Sequence, residues 1–159
     1  MAAAGNPMRF QEAVERTPEI VRAFRPGLQA LRRQDRSRIQ RRDSLTRLAG
    51  SVNLDDALSD RYPHAARWDY GIGVERTSRR DNRVLWIEVH SASSAHVSDV
   101  IAKHQWLVAW LGRSAPQLGG LRREFIWLAT GSVYIRRGTP QHRRLAKTGI
   151  RLVGSQLLI

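Results

Sequence analysis

The segment RVLWIEVHSA, from Arg83 to Ala92, carries most of the information about the fold. Its centre is almost entirely apolar, which is typical of a strand that is buried on both faces. Glu88 and His90 stand two residues apart near its C-terminal end, and side chains at i and i+2 lie on the same face of a strand. A buried strand that directs a carboxylate and an imidazole to one place predicts a functional site there.

The flanking sequence predicts a mixed α/β domain. Residues 69–76 alternate between apolar and small or polar side chains, so they predict a strand that forms an antiparallel hairpin with 84–90. Residues 97–111 place apolar side chains at helical spacing, and Gly112 is expected to end that helix. The segment EFIWLAT at 124–130 predicts a second buried strand, which favours a parallel β-α-β crossover.

The remaining segments extend this domain at both ends. Residues 133–135 predict a short hairpin partner, 139–149 a helix capped by Thr139, and the C-terminal RLVGSQLLI an edge strand. The segment 1–47 predicts a basic helical N-terminal arm, packed on or extending from a core domain that spans 48–159. Within the arm, Thr17-Pro18-Glu19 is typical of a helix start.

Charge indicates the class of partner. The 159 residues include 27 Lys and Arg against 14 Asp and Glu, a net charge of +13, and only Lys103 and Lys147 are lysines. Such a balance favours nucleic acid as partner, and the guanidinium group grips phosphate in a bidentate way. Seven arginines lie between Arg32 and Arg47, which indicates either a solvated surface or a phosphate-contacting arm. There is no cysteine, no signal-peptide pattern and no run of about 18 apolar residues, so a cytoplasmic protein without a membrane partner is expected.

The predicted hairpin brings Asp69, at the start of one strand, beside Glu88, at the end of the next. Gly71 and Gly73 on the same face leave room for another backbone or a ligand. Two close carboxylates repel each other unless a cation lies between them or one is protonated. Oxygen ligands of this kind suit Mg²⁺ or Mn²⁺, and His90 is then placed to orient or deprotonate a water.

These residues resemble the motif of the PD-(D/E)xK nuclease superfamily. The match consists of Asp69 in RWDYG, then Glu88, nineteen residues further along, and His90, both in IEVH. The resemblance implies a restriction-endonuclease-like core of α-β-β-α-β order, metal-dependent cleavage of DNA or RNA, and, because many such nucleases are dimers, a homodimer. His90 stands where the family has lysine, which implies a variant site or an inactive relative. RWDYG and WIEVH also look like segments of uncharacterised bacterial proteins.

Other residues are candidates for contacts to nucleic acid. Trp68 precedes the predicted strand and is a candidate for stacking on a base. The full set of candidates is Arg67, Trp68, Arg79, Arg80, Arg136, Arg137, Arg143 and Arg144. Asp55 is a further candidate to complete the metal ligands. Two alternatives stay open: a non-catalytic nucleic-acid-binding module, in which Glu88 and His90 form structural ion pairs, and a protein-interaction subunit that binds an acidic partner.

Overall fold

The computed structural model describes residues 8–76 and 81–159. Within them the helices are α1 (Phe10–Glu15), α2 (Arg33–Arg36), α3 (Leu54–Leu58), α4 (Val97–Ser114), α5 (Pro116–Gly119) and α6 (Pro140–Ala146). The strands are β1 (Ile39–Gln40), β2 (Thr46–Asn53), β3 (Tyr70–Arg76), β4 (Asp81–His90), β5 (Arg123–Ala129), β6 (Ile150–Val153) and β7 (Leu157–Leu158). Single 3-10 turns cover Pro18–Ile20 and Ser94–His96.

Five strands form a central mixed sheet in the order β2-β3-β4-β5-β6. β2, β3 and β4 are antiparallel neighbours, and the register that pairs Tyr70 with Ile87 confirms the predicted hairpin. β5 and β6 run parallel to β4, with Trp86 beside Phe125, which confirms the crossover through α4. The predicted mixed α/β class with a central mixed sheet is therefore confirmed.

The two faces of β4 are buried in different cores. Val84 and Trp86 point into a core shared with buried residues of α1, α3, α4, α5 and α6. Leu85 and Ile87 point into a smaller core on the opposite face. That face is covered by the segment around Leu31 and by a second, two-stranded sheet of β1 and β7. Burial on both faces explains why residues 84–87 of this strand are all apolar.

The glycines of β3 make room for aromatic rings. A Cβ on Gly71 would lie 2.6 Å from the ring of Trp86, and one on Gly73 would lie 2.5 Å from the ring of Phe10. Real Cβ atoms do not approach carbon this closely, so no larger residue fits without repacking. The expected space for a ligand or another backbone at these glycines is thus filled by the core.

Helix α4 is longer than its sequence predicts. It continues through Gly112 to Ser114 and ends where Pro116 begins α5, because the residue before a proline disfavours the helical conformation. Its buried face includes Trp110, whereas Val108 is 38% exposed. The expectation that Gly112 ends this helix was therefore wrong.

The first described residues contribute to the core with little helix. Phe10, Val14, Ile20 and Leu31 are all buried. Thr17 does not cap a helix: its hydroxyl donates to the carbonyl of Ala13 at 2.8 Å, and the turn after it lasts three residues. The expectation that Thr17-Pro18-Glu19 starts a regular helix was therefore wrong. Burial of a few apolar side chains anchors an irregular chain here instead.

The C-terminal prediction is correct in part. Thr139 caps α6, since its side chain accepts a hydrogen bond from the amide of His142 at 3.2 Å, and β6 lies at the edge of the sheet. Residues 133–135 form no strand, and β7 leaves the central sheet to pair with β1.

Candidate active site at the end of the central hairpin

Asp69 and Glu88 lie side by side where β3 begins and β4 ends. The backbone amide of Asp69 donates to Glu88 Oε2 at 3.1 Å, and the amide of Val89 donates to Asp69 Oδ2 at 2.9 Å. Each carboxylate is thus held by the backbone beside the other. This arrangement follows from the antiparallel register, and the expected proximity of the two side chains is confirmed.

A third side chain, from the crossover helix, completes the cluster. Lys103 of α4 donates a hydrogen bond to Glu88 Oε1. Glu88 has no exposed side-chain surface, whereas the side chain of Lys103 is 24% exposed and so connects the buried carboxylate to the surface. We refer to Asp69, Glu88 and Lys103 as the acid–lysine cluster.

Sequence reasoning missed Lys103, although a signal for it was present. It is one of only two lysines in a chain with 25 arginines. It also falls on the buried side of α4, three residues after Val100 and four before Leu107. A lysine on the apolar face of a crossover helix is a candidate partner for a carboxylate on the strand that the helix covers.

Burial of the acid–lysine cluster opposes ionisation of its two carboxyl groups. Burial, and then the neighbouring charge of Asp69, raise the pKa of Glu88 from 4.5 to about 8, although Lys103 opposes the shift. Burial also raises the pKa of Asp69. Burial alone would lower the pKa of Lys103, but the charges of Glu88 and Asp69 raise it overall. The two carboxyl groups therefore hold their protons to higher pH than exposed carboxyl groups do, while the lysine remains charged.

A cavity of about 190 Å³ opens onto this cluster. Asp69, Lys103, Asp55 and Asp35 line it, together with Asn53 and Thr130 among others. Most of these side chains offer oxygen atoms, so the cavity is polar and rich in groups that can bind a cation or hydrogen-bond a phosphate.

Two of the lining carboxylates are already engaged by neighbours. Asp55 Oδ1 accepts hydrogen bonds from Arg67 Nε and forms an ion pair with the same guanidinium, both at 3.0 Å. Asp35, which is 7% exposed, accepts a hydrogen bond of 2.6 Å from the hydroxyl of Tyr70. Asp55 thus lies in the same cavity as Asp69, where sequence reasoning expected a further acid, but its carboxylate is bound to Arg67.

His90 lies beyond the cluster on the same strand. Its ring packs against those of His96 and Trp127, with centroids 4.6 and 6.4 Å away, and its Nδ1 lies 3.0 Å from the carbonyl of Ser91. It is not among the residues that line the cavity. The group in contact with Glu88 is therefore Lys103, and a catalytic role for His90 stays a prediction.

The residues predicted to contact nucleic acid differ in their exposure to solvent. Trp68 is fully buried and packs beside His104 and Phe125, so its ring offers no face to a base. Arg67 is held by Asp55 and by the carbonyl of Tyr62. The exposed arginines of the set are Arg136, Arg137, Arg143 and Arg144. Arg79 and Arg80 lie outside the described residues.

The fit of the cluster to a metal ion can be judged from its donors. Mg²⁺ is commonly held by one or two carboxylates and retained waters. Asp69 faces the cavity, and no hydrogen bond to its Oδ1 occurs within 8–76 and 81–159. In the same ranges no group of three His, Cys, Asp or Glu residues is close enough to hold a metal. Asp69 is the carboxylate that faces the cavity, whereas Glu88 is fully buried and bound by Lys103. Glu88 could join Asp69 in holding a hydrated ion only if Lys103 yields its contact.

No known family model, curated protein or solved structure shows a significant match to the chain. Among the described residues, no helix combines the length and apolar character that crossing a membrane requires. The function must therefore be inferred from the geometry of the chain itself.

Proposed function

We propose that the protein is a metal-dependent nuclease that cleaves phosphodiester bonds in DNA or RNA. The acid–lysine cluster is the observation that carries this proposal. It joins two carboxylates and one ammonium group at the C-terminal end of β4, next to a polar cavity. Asp69 and Glu88 would hold a divalent ion, Mg²⁺ or Mn²⁺, which supplies charge against the phosphoryl oxygens and makes a bound water more acidic.

The order of the elements supports a restriction-endonuclease-like core. The resemblance implies a helix, a hairpin that carries the two acids, a crossover helix and a parallel strand. The chain has α1 and β2, the β3–β4 hairpin, the long helix α4, and then β5 parallel to β4. Asp69, directly before β3, and Glu88, near the end of β4, lie side by side, which supports the resemblance.

Lys103 supplies the cation that the strand motif lacks. The family places lysine two residues after the second acid, where this chain has His90. In the structure the ammonium group instead reaches Glu88 from α4. It would neutralise charge on the carboxylates without substrate, and it would donate to a phosphoryl oxygen or orient the attacking water when the carboxylates bind a metal.

The charge of the surface supports an anionic substrate. The net charge is +13, and several arginines of the segment 32–42 are exposed. Within the described ranges, Arg33, Arg41 and Arg42 form no ion pair with a carboxylate. Arg32, which pairs with Asp56 at 3.2 Å, also lines the cavity. Cations on a surface near the cavity would attract the phosphate backbone and steer it toward the cluster.

A second function, a nucleic-acid-binding module without catalysis, is favoured by one observation. Glu88 is fully buried and already paired with Lys103, as a purely structural ion pair would be. In that case the protein would bind nucleic acid with a steep salt dependence and would take up no metal.

Titration calorimetry and a cleavage assay separate the two functions. Mn²⁺ is titrated into the wild type, into Glu88→Gln and into Glu124→Gln, which changes an exposed carboxylate on the neighbouring strand β5. The same proteins are then incubated with end-labelled single-stranded and double-stranded DNA and RNA.

The nuclease proposal predicts metal uptake and cleavage in the wild type and in Glu124→Gln, and loss of both in Glu88→Gln. Salt-sensitive binding of oligonucleotides with no metal uptake by the wild type would establish the non-catalytic module instead. Absence of metal uptake, cleavage and oligonucleotide binding would refute both and favour an acidic protein partner.

A further inference from the structure

The loop that follows β5 presents an aromatic ring to solvent. Tyr134 is 70% exposed, the largest exposed fraction among the large apolar and aromatic side chains of the described residues. Its neighbour Val133 is 44% exposed, while Ile135 is 9% exposed and packs into the core beneath the loop. The ring is thus held outward by a neighbour that is anchored inward.

The backbone of this loop is fixed to the end of β4. The amide of Thr130 donates to the carbonyl of His90 at 3.1 Å, and the amide of Tyr134 donates to the carbonyl of Ala92 at 2.8 Å. These two backbone hydrogen bonds and the buried side chain of Ile135 fix the position of Tyr134. The exposed ring therefore occupies a specific place at the C-terminal edge of β4 and β5.

That place is close to the acid–lysine cluster. Thr130, four residues before Tyr134, lines the same cavity as Asp69 and Lys103. Because an extended chain spans at most ~3.6 Å per residue, the Cα atoms of Thr130 and Tyr134 lie within roughly 14 Å of each other. A strand of nucleic acid that enters the cavity can therefore reach the ring of Tyr134 within a few nucleotides.

Two arginines stand directly beside the aromatic ring in sequence. Arg136 and Arg137 are exposed, and neither forms an ion pair with a carboxylate within 8–76 and 81–159. An exposed aromatic ring next to unpaired cations is the combination that binds single strands, because the bases stack on the ring and the cations contact the phosphates.

We propose that Tyr134 is a stacking platform for an unpaired base of single-stranded nucleic acid, whose backbone passes Arg136 and Arg137. In a duplex both faces of a base are covered by its neighbours, so an exposed ring of this kind selects unpaired bases. The further claim, that the bound nucleic acid continues into the acid–lysine cluster, rests on the proposed function. The stacking itself does not, since it needs neither metal nor cleavage.

Binding in the presence of EDTA tests this proposal apart from catalysis. The probes are a short fluorescein-labelled oligonucleotide of mixed sequence and the duplex of the same sequence, in DNA and in RNA, and anisotropy gives the Kd. The variants are Tyr134→Ala, the conservative Tyr134→Phe, and Val133→Ala, which shortens the adjacent exposed side chain and serves as the matched control.

The expected result is selective. Tyr134→Ala weakens single-strand binding about tenfold, the loss typical of one stacked base, and changes duplex binding less than twofold. Tyr134→Phe and Val133→Ala stay within twofold of the wild type, since phenylalanine keeps the aromatic face. Replacing Arg136 and Arg137 with alanine lowers affinity for both probes and reduces the salt dependence.

Equal single-strand binding by the wild type and Tyr134→Ala would overturn the proposal, as would an equal loss for the single strand and the duplex. Wild-type protein that binds no single strand would overturn it as well. Selective stacking without any cleavage in the metal-dependent assay would leave this proposal standing and refute the nuclease, so the two failures are distinguishable.

Discussion

Replacing Glu88 with glutamine is expected to change the pH dependence of stability in a defined direction. Glu88 has no exposed side-chain surface, and burial beside Asp69 raises its pKa to about 8 from 4.5. In the folded protein it therefore keeps its proton well above the pH at which it ionises in the unfolded chain. Glutamine has the same shape and does not ionise, so it removes this difference.

The size of the effect follows from proton linkage. A group with a raised pKa in the folded state contributes its full stability below its unfolded pKa and loses it as the pH rises toward the folded pKa. Between pH 4.5 and about 8 the wild type should thus lose at most about 1.4 kcal/mol of unfolding free energy per pH unit through Glu88. The upper bound over the whole window is on the order of 5 kcal/mol.

The glutamine variant should not show this contribution. It also loses one acceptor for Lys103, a cost of about 1–3 kcal/mol that does not change with pH in this window. Relative to the wild type, Glu88→Gln is therefore expected to be destabilised or unchanged near pH 4.5 and progressively more stable toward pH 8. Titrating groups outside the acid–lysine cluster are common to both proteins and cancel in the difference.

Urea unfolding at a series of pH values, in EDTA, measures that difference. Trp68, Trp86, Trp110 and Trp127 are fully buried and make intrinsic fluorescence a direct reporter of unfolding. Glu124→Gln controls for the loss of one negative charge. A difference between wild type and Glu88→Gln that is constant from pH 4.5 to 8 would refute the reasoning, because Glu88 would then ionise equally in both states.

Three further outcomes follow from the same site and core. Lys103→Met should abolish cleavage while Mn²⁺ binding in calorimetry is kept or strengthened, because the ammonium no longer competes for Glu88. Mn²⁺ affinity of the wild type should rise with pH up to about 8, with release of a proton, since the ion binds the ionised carboxylate; a flat profile would contradict this. Gly73→Ala should lower the unfolding free energy by about 1–3 kcal/mol, because its new Cβ clashes with Phe10. Gly112→Ala should raise it by about 0.5–1 kcal/mol, because this position lies inside α4 and a Cβ there meets nothing within 4 Å. Urea unfolding of the two variants measures both changes.

Much of the central fold could be predicted because its signals are local and strong. The apolar run of β4, the alternation of β3 and the helical spacing of α4 each reflect burial of one element against its neighbours. The small sheet of β1 and β7 could not be predicted in this way. Each strand is two residues long, and their pairing joins positions 39–40 with 157–158, so no local pattern marks either one.

The candidate site was predictable only where the backbone alone sets it. Adjacent strands brought Asp69 to Glu88, and the hairpin register is enough to show this. The apolar face of α4 marks Lys103 as a candidate, but its contact with Glu88 depends on how α4 is rotated over the sheet. The burial of Trp68 likewise depends on which face of its segment packs inward. Both depend on tertiary packing. The periodicity of the sequence shows which face of an element is buried, but it does not show which residue each side chain contacts.

The energetics of the acid–lysine cluster argue that function retains it. A buried carboxylate that must keep a proton up to about pH 8 weakens the fold at neutral pH, and apolar residues of similar volume often replace buried ion pairs without loss. Val84 to Val89 are apolar on both faces except at Glu88, so a leucine at position 88 would continue the apolar face of Val84 and Trp86. The chain instead keeps a carboxylate that binds Lys103, and both Lys103 and Asp69 line the polar cavity. Chemistry at that cavity accounts for a buried acid that stability alone does not favour.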